Sequence, residues 1–319
     1  MQSTGIAQNK NRLFLLACVF IALIAGFMWA ISDNGQGRRF ERTYVDAALL
    51  PPSWAPLGKR EIDQIKVIRS HGSWFSLLGT DQLGRDLFAR CIVGGAISIA
   101  VGIAAAFIAV VLGTLWGTVA GLRGGKVDSV MMRIVDVLYG LPAIMLVVLI
   151  TVAVNGLVEQ GAITSPPVLA LINVVALLVA IGAVSWLTVS RVIRGQVLSL
   201  RSRPSIDAAR TIGVGRFRLF THHLLPSVLG TIIVYATLTV PTAILSEAFL
   251  SFLGIGIREP LPSWGNLAAD GLSQLNTVHS RWWLLLWPCL MIALTLVGIN
   301  SMGQRLRVRV DPKQRGVAR

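Results

Sequence analysis

GGAISIAVGIAAAFIAVVLGTLWGTVA, residues 94–120, runs for 27 residues without an Asp, Glu, Lys or Arg. As a helix it is roughly 40 Å long at 1.5 Å per residue. The hydrocarbon of a bilayer is about 30 Å thick, so the run is long enough to cross it. Five further apolar runs have a similar character: Leu13–Ile31, Ile134–Val154, Val168–Val189, Leu225–Leu250 and Leu284–Met302. Only 14% of the 319 residues are charged and 54% are hydrophobic, with a mean hydropathy of +0.69. A soluble domain carries about 25% charged residues. The expected fold is an all-α membrane protein with six transmembrane helices. The run at Leu13–Ile31 exceeds the roughly 7–15 residues of a signal-peptide core, and no small-x-small cleavage site follows it. It therefore reads as an uncleaved anchor. Cys18, Cys91 and Cys289 lie far apart and form neither a metal spacing nor a disulfide framework.

The net charge of +14 is explained by topology. With both termini cytoplasmic, the inside segments hold 18 Lys and Arg against three acidic residues, Asp128, Asp207 and Asp311. The outside segments hold 11 basic and ten acidic residues. This is the positive-inside asymmetry, with added attraction to anionic membrane lipids. No basic face with readout residues is present, so no nucleic-acid partner is expected.

Within the quoted run and just past its end, Ala105, Ala109, Gly113, Gly117 and Gly121 recur every four residues. Small side chains at that spacing let helices approach closely in lipid, where no hydrophobic force drives them together. In the run at 225–250, Thr231, Tyr235, Thr239, Thr242 and Ser246 share one helical arc. Such a stripe avoids lipid, and it either lines a substrate pathway or hydrogen-bonds another helix. Pro241 in the same run frees a backbone carbonyl. Asp136 lies three residues after Arg133, within reach across one turn. Glu247 lies about 30 Å along a helix from Pro226, which places it near the outer interface.

The polar segment RSRPSIDAARTIGVGRFRLFTHHLLP, Arg201–Pro226, cannot span. Pro204 opens a helix, Asp207 complements its dipole, and Gly213 and Gly215 turn the chain. A short exposed helix followed by a glycine turn suits docking in a groove on a partner. A helix lying on the membrane surface is the other reading. Asp207-Ala208-Ala209, then Gly213, then His223-Leu224-Leu225-Pro226 resembles the cytoplasmic EAA motif of bacterial ABC importer permeases, with Asp207 in place of the usual Glu. Leu78-Gly79-Thr80-Asp81-Gln82-Leu83-Gly84-Arg85-Asp86 resembles the signature of the dipeptide/oligopeptide permease family. So do Met132–Asp136 with Leu141-Pro142, Glu247–Gly254, Pro262–Gly265, Trp282-Trp283, Pro288 and Asp311-Pro312. The likeness covers nearly the whole chain from Leu13 and points to the second, six-span permease subunit. Two departures stand out: residues 54–75 look like an insertion, and Gln304 and Val308 stand where the family carries acids.

The resemblance implies a type I ABC importer permease fold in the bacterial cytoplasmic (inner) membrane. It implies a layout of residues 1–12 as a cytoplasmic N-terminus, 13–32 as the first transmembrane helix, and 33–93 as an external segment. Residues 94–319 would form the permease core, with a coupling helix at about 203–222. Asp207, Ala208, Ala209, Gly213, Leu225 and Pro226 would couple to the ATPase, and Gly79, Thr80, Asp81, Gly84, Arg85 and Asp86 would form the outer signature. The implied partners are a second permease subunit in a heterodimer, two ATP-binding subunits and an external substrate-binding protein. ATP and Mg would sit on the partner subunits. This chain has no phosphate loop: Gly125-Lys126 is followed by Val127 and preceded by Ala120 where GxxxxGK[ST] needs Ser or Thr and Gly. No catalytic residue, metal set or cofactor of its own is expected. The implied cargo is a di- or oligopeptide. A same-family permease for nickel chelates or sugars remains open, as does a secondary transporter or channel, although neither internal repeats nor paired midplane charges are visible.

Overall fold

The structure is a computed structural model, and it describes residues 26–32, 38–56, 62–63, 65, 76–160, 166–257, 259–275 and 280–310. Among the described residues the chain is helical, with two isolated bridges, Thr80 with Asp86 and Leu275 with Ser280, and no strand. The elements are α1 (Leu87–Arg123), α2 (Gly125–Tyr139), α3 (Ala143–Gln160), α4 (Pro166–Arg201), α5 (Pro204–Thr211), α6 (Arg216–Leu219), α7 (Leu225–Phe252), α8 (Trp264–Ser273) and α9 (Trp282–Val310). A 3-10 turn covers Val45–Ala47, and a π-helical turn, Phe220–Leu224, joins α6 to α7.

Four of these helices are long and apolar enough to cross a membrane: α1, α4, α7 and α9. They take in the expected runs at 94–120, 168–189, 225–250 and 284–302. The run at Leu13–Ile31 lies outside the described residues except for its helical end at 26–31. The run at Ile134–Val154 is not one helix. It breaks between α2 and α3, which meet at 89°, and the bent pair makes a fifth span only if counted together. The break has a local cause at Gly140-Leu141-Pro142. A residue before proline is pushed away from the α region, and proline opens a helix more readily than it continues one. α4 also runs farther than expected, carrying Arg191 and Arg194 on its last turns rather than in a loop.

Contacts divide the chain into two compact units, residues 1–97 with 259–291 and residues 98–258 with 292–319. The core of the first gathers Leu78, Leu87, Cys91, Leu267, Trp283 and Leu284, with a second cluster of Ala30, Phe40, Ala89 and Val93. Trp264 packs across Gly95 and donates its indole N–H to the Cys91 carbonyl at 2.8 Å. Trp54, the first residue of the 54–75 segment, packs against Trp282 and Trp287; most of that segment lies outside the described residues.

The second unit is organised by the small-residue seam of α1. Ala105 and Ala109 are fully buried, and Gly113, Gly117 and Gly121 lie against Val189, Ser190 and Val197 of α4. A Cβ on Gly117 would stand 2.3 Å from the Ser190 carbonyl oxygen, so the two backbones touch. Gly182 returns the contact from α4 against Ile108. Close backbone approach maximises dispersion where lipid gives no hydrophobic force. Gly117→Val should therefore force the helices apart and destabilise the unit by roughly 1–3 kcal/mol. Thermal unfolding in detergent against the wild type reads this, with Gly156→Val, which meets no neighbour, as the tolerant control.

Candidate functional site

The second unit holds a cavity of about 530 Å³. Its walls come from the α2–α3 break (Leu138, Tyr139, Leu141, Ile144), from α4 (Ser185, Thr188) and from α7. The α7 wall includes Tyr235, Thr239, Thr242 and Ser246, four of the five residues of the polar stripe; Thr231 is not among the lining residues. Tyr235 to Ser246 covers about 17 Å of helix. α7 continues unbroken through Pro241. The bend lies within this wall: Leu138 and Tyr139 come before it and Leu141, Ala143 and Ile144 at or after it.

Two ion pairs tie α2 to α4. Arg194 grips Asp128 with two of its nitrogens, Nε to Oδ1 at 2.5 Å and Nη2 to Oδ2 at 2.6 Å. Asp128 is buried in the first turn of α2, where a carboxylate also meets the positive end of the helix dipole. Asp136 does not pair with Arg133 as its spacing suggests. It accepts from Arg191 Nη2 at 2.8 Å, and the Arg191 guanidinium lies 4.0 Å from the centre of the Tyr139 ring. The partner is chosen by the packing of α4, which the i,i+3 spacing cannot reveal. Glu247 is fully buried and accepts from Ser251 Oγ at 2.7 Å. Ser251 Oγ in turn accepts the Ile257 amide at 3.1 Å, which fastens the turn after α7.

In the first unit the outer signature forms a knot. Gly79 and Gly84 have φ of +91° and +71°, and a Cβ on either would strike the backbone of Leu50 or Tyr44. Thr80 Oγ1 donates to the Ala47 carbonyl at 2.6 Å and accepts the Leu50 amide at 2.8 Å. Asp81 accepts the amides of Leu83 and Arg85 and binds Arg85 Nε at 2.6 Å and Arg90 Nη1 at 3.1 Å. Both arginines reach on to Glu259 Oε1, at 2.7 and 3.1 Å. Asp86 accepts the Phe88 amide at 3.1 Å, capping the start of α1. Arg90 and Glu259 were not singled out in the sequence. The available signal was an arginine just inside an apolar helix, which needs an anion once buried.

In the Arg201–Pro226 segment, α5 is followed by Gly213 with φ of +83°. Ile206 and Ala209 turn inward onto Val189, Ile193 and Val197 of α4, together with Leu219 and Leu224. Ala208 is exposed, Leu225 half-buried and Pro226 exposed. Asp207 lies on the helix. Ile212, not singled out in the sequence, is 83% exposed beside Gly213.

Residues 113–316 match the family described as binding-protein-dependent transport system inner membrane component. The chain is 43% identical over 307 residues to the dipeptide transport system permease protein DppC of Bacillus subtilis strain 168, covering 96% of this chain and 84% of that protein. It is 45% identical over 237 residues to the oligopeptide transport system permease protein OppC of Escherichia coli K12, covering 74% and 72%. Among solved structures, the MetNI methionine ABC transporter in an inward-facing form superimposes with a TM-score of 0.52 at 18% identity, covering 70% of this chain and 96% of that one. That likeness establishes the fold as the type I importer permease arrangement.

Asp81→Asn should remove the carboxylate that Arg85 and Arg90 share, leave Glu259 as their remaining counter-ion, and cost about 1.5–3 kcal/mol, read as a drop in unfolding temperature of the purified protein. The pH dependence follows from Asp270, raised from the ordinary 3.8 to about 6 by burial and then by Glu259, with Arg85 opposing and Asp81 adding. Asp86 is raised to about 6 in the same way, by burial against the Phe88 amide, the Ser76 hydroxyl, the Ala89 amide and Arg39. Between about pH 4 and 6 the folded state keeps protons that the unfolded state has released, so stability falls as pH rises through that window and then levels. Asp270→Asn should flatten part of that decline in unfolding scans across the same range.

Proposed function

Because the chain belongs to the family of binding-protein-dependent transport system inner membrane components, we propose that it carries di- or oligopeptides inward across the bacterial cytoplasmic membrane. It does so as one of two related permease subunits, driven by two separate ATP-binding subunits and fed by an external binding protein. The observation that carries the peptide reading is the likeness to peptide permeases over nearly the whole chain. The cavity supports it, since about 530 Å³ falls in the usual range for a small-ligand site. Residues 13–32 form the first span, 33–93 the external segment and 94–319 the core, with both termini cytoplasmic.

The mechanism is alternating access. Tyr235, Thr239, Thr242 and Ser246 face the substrate, and Thr231 continues the same arc toward the cytoplasm. α5 and the turn at Gly213 dock on an ATP-binding subunit, with Asp207, Ala208 and Ala209 at the contact and Leu225-Pro226 passing the motion to α7. Ile212 supplies an apolar contact at the end of that surface. The inward side of α5 is bonded into the α4 core through Ile206 and Ala209, so a push on α5 moves α4 and, with it, the cavity wall at Ser185 and Thr188. ATP drives this only by binding the two states with different free energy.

Co-purification of ATP-binding subunits with the tagged chain, and ATP-dependent peptide uptake by the assembled complex, test the reading; uptake by the lone chain without ATP would overturn it. Gly213→Val places a branched side chain at a positive φ that costs L-residues about 1–2 kcal/mol. Membrane insertion should persist while transport-coupled ATP hydrolysis is largely lost.

A further inference from the structure

The α7 wall of the cavity has a hydrogen-bonding polarity that its composition does not reveal. Thr239 Oγ1 donates to the Tyr235 carbonyl at 2.7 Å, and Thr242 Oγ1 donates to the Thr239 carbonyl at 2.8 Å. A carbonyl oxygen has no proton to give, so the direction of both bonds follows from the groups themselves. A hydroxyl has one proton and two acceptor positions. With the proton committed to the helix, each of these threonines has only acceptor capacity left for a ligand. Thr242 is exposed on the cavity and Thr239 is buried beside it. Among the described residues none that lines the cavity is Asp, Glu, Lys, Arg or His, and most of the wall is apolar. The other lining hydroxyls, of Tyr235, Ser246, Ser185 and Thr188, can donate as well as accept, so the acceptor bias belongs to Thr242 and Thr239 themselves.

Resting on the peptide reading above, we propose that Thr242, backed by Thr239, is a donor-selecting element of the translocation pathway. It receives the amide N–H or terminal ammonium groups of the passing peptide on the α7 wall. A carboxylate placed there meets lone pair with lone pair in a site of low polarity, where an unmatched polar group is costly. The peptide thus passes with a donor group toward Thr242 and its C-terminal carboxylate directed away from that oxygen. Selection acts on the backbone common to all peptides, so it is indifferent to side-chain identity and distinct from whatever the binding protein selects.

The test uses the complete transporter with its binding protein in proteoliposomes. The probes are tri-alanine and its depsipeptide, in which an ester oxygen replaces one amide N–H at nearly unchanged shape. Uptake kcat/KM for each is divided by the binding protein's measured affinity for that ligand. The wild type should favour the amide about three- to ten-fold. Thr242→Val should bring that ratio close to one by slowing the amide, and Thr242→Ser, which keeps the oxygen, should restore it. If Thr242→Val assembles poorly by gel filtration, Thr242→Ala removes the same oxygen and is held to the same expectation. A ratio unchanged in the oxygen-free variant, with uptake intact, overturns the proposal. Absence of ATP-dependent uptake of either ligand by the wild type overturns the peptide reading beneath it.

Discussion

Hydrocarbon offers no hydrogen-bond partner, so every peptide group that enters it must be satisfied within the chain. The long helices α1, α4, α7 and α9 are the response to that constraint. The same constraint reaches the side chains. Thr239 and Thr242 return their protons to carbonyls of their own helix, which makes a hydroxyl tolerable at membrane depth. It also makes the surface they present one-sided. Where the backbone does break, at Gly140-Leu141-Pro142, Leu141 of the break lines the cavity. Irregular backbone at depth is tolerated in such places and not against lipid.

Charges are arranged under the same rule. In the described residues two sets of ion pairs hold most of the buried ones: Asp81 with Arg85, Arg90 and Glu259 in one unit, Asp128 with Arg194 in the other, while buried Glu247 accepts from the Ser251 hydroxyl. Neither set is best understood as a source of net stability, because burying two ions costs about what their attraction returns. What each set provides is uniqueness of geometry. A bidentate arginine fixes the angle at which its partner sits, so Arg194 sets how α2 lies on α4. Asp81 likewise gathers two backbone amides and two guanidinium groups on one carboxylate. The outer signature is therefore architectural in its chemistry, with Gly79, Gly84, Thr80, Asp81 and Asp86 each bonded within the first unit.

The cavity and the α5 surface are joined through α4. Ile206 and Ala209 lie on the α4 residues Val189, Ile193 and Val197, within about three turns of Ser185 and Thr188 in the cavity wall. A close-packed seam with α1 at Gly113, Gly117 and Gly121 leaves α4 little freedom to bend independently. Packed interfaces of this kind switch between arrangements rather than deform smoothly, which is the property a coupled transporter needs.

The membrane class, five of the apolar runs as helix-forming segments, the small-residue seam and the hydroxyl arc were legible in the sequence. Each depends on composition or on helical periodicity, and both are local properties of the chain. The motifs around Asp81 and Gly213 were legible as a family resemblance, and the positive φ at Gly79, Gly84 and Gly213 supplies a physical reason for three of their glycines. The bend at Pro142 was also written locally, yet a hydropathy run reads straight through it, because apolarity carries no information on backbone direction. Tertiary structure alone decided the rest. It gave Asp136 to Arg191 instead of Arg133, buried Glu247, gathered Arg90 and Glu259 onto Asp81, and placed Ser185 and Thr188 opposite the α7 arc. A charge finds its partner, and a cavity its walls, among residues up to 174 positions apart, and that separation is set by how whole helices pack.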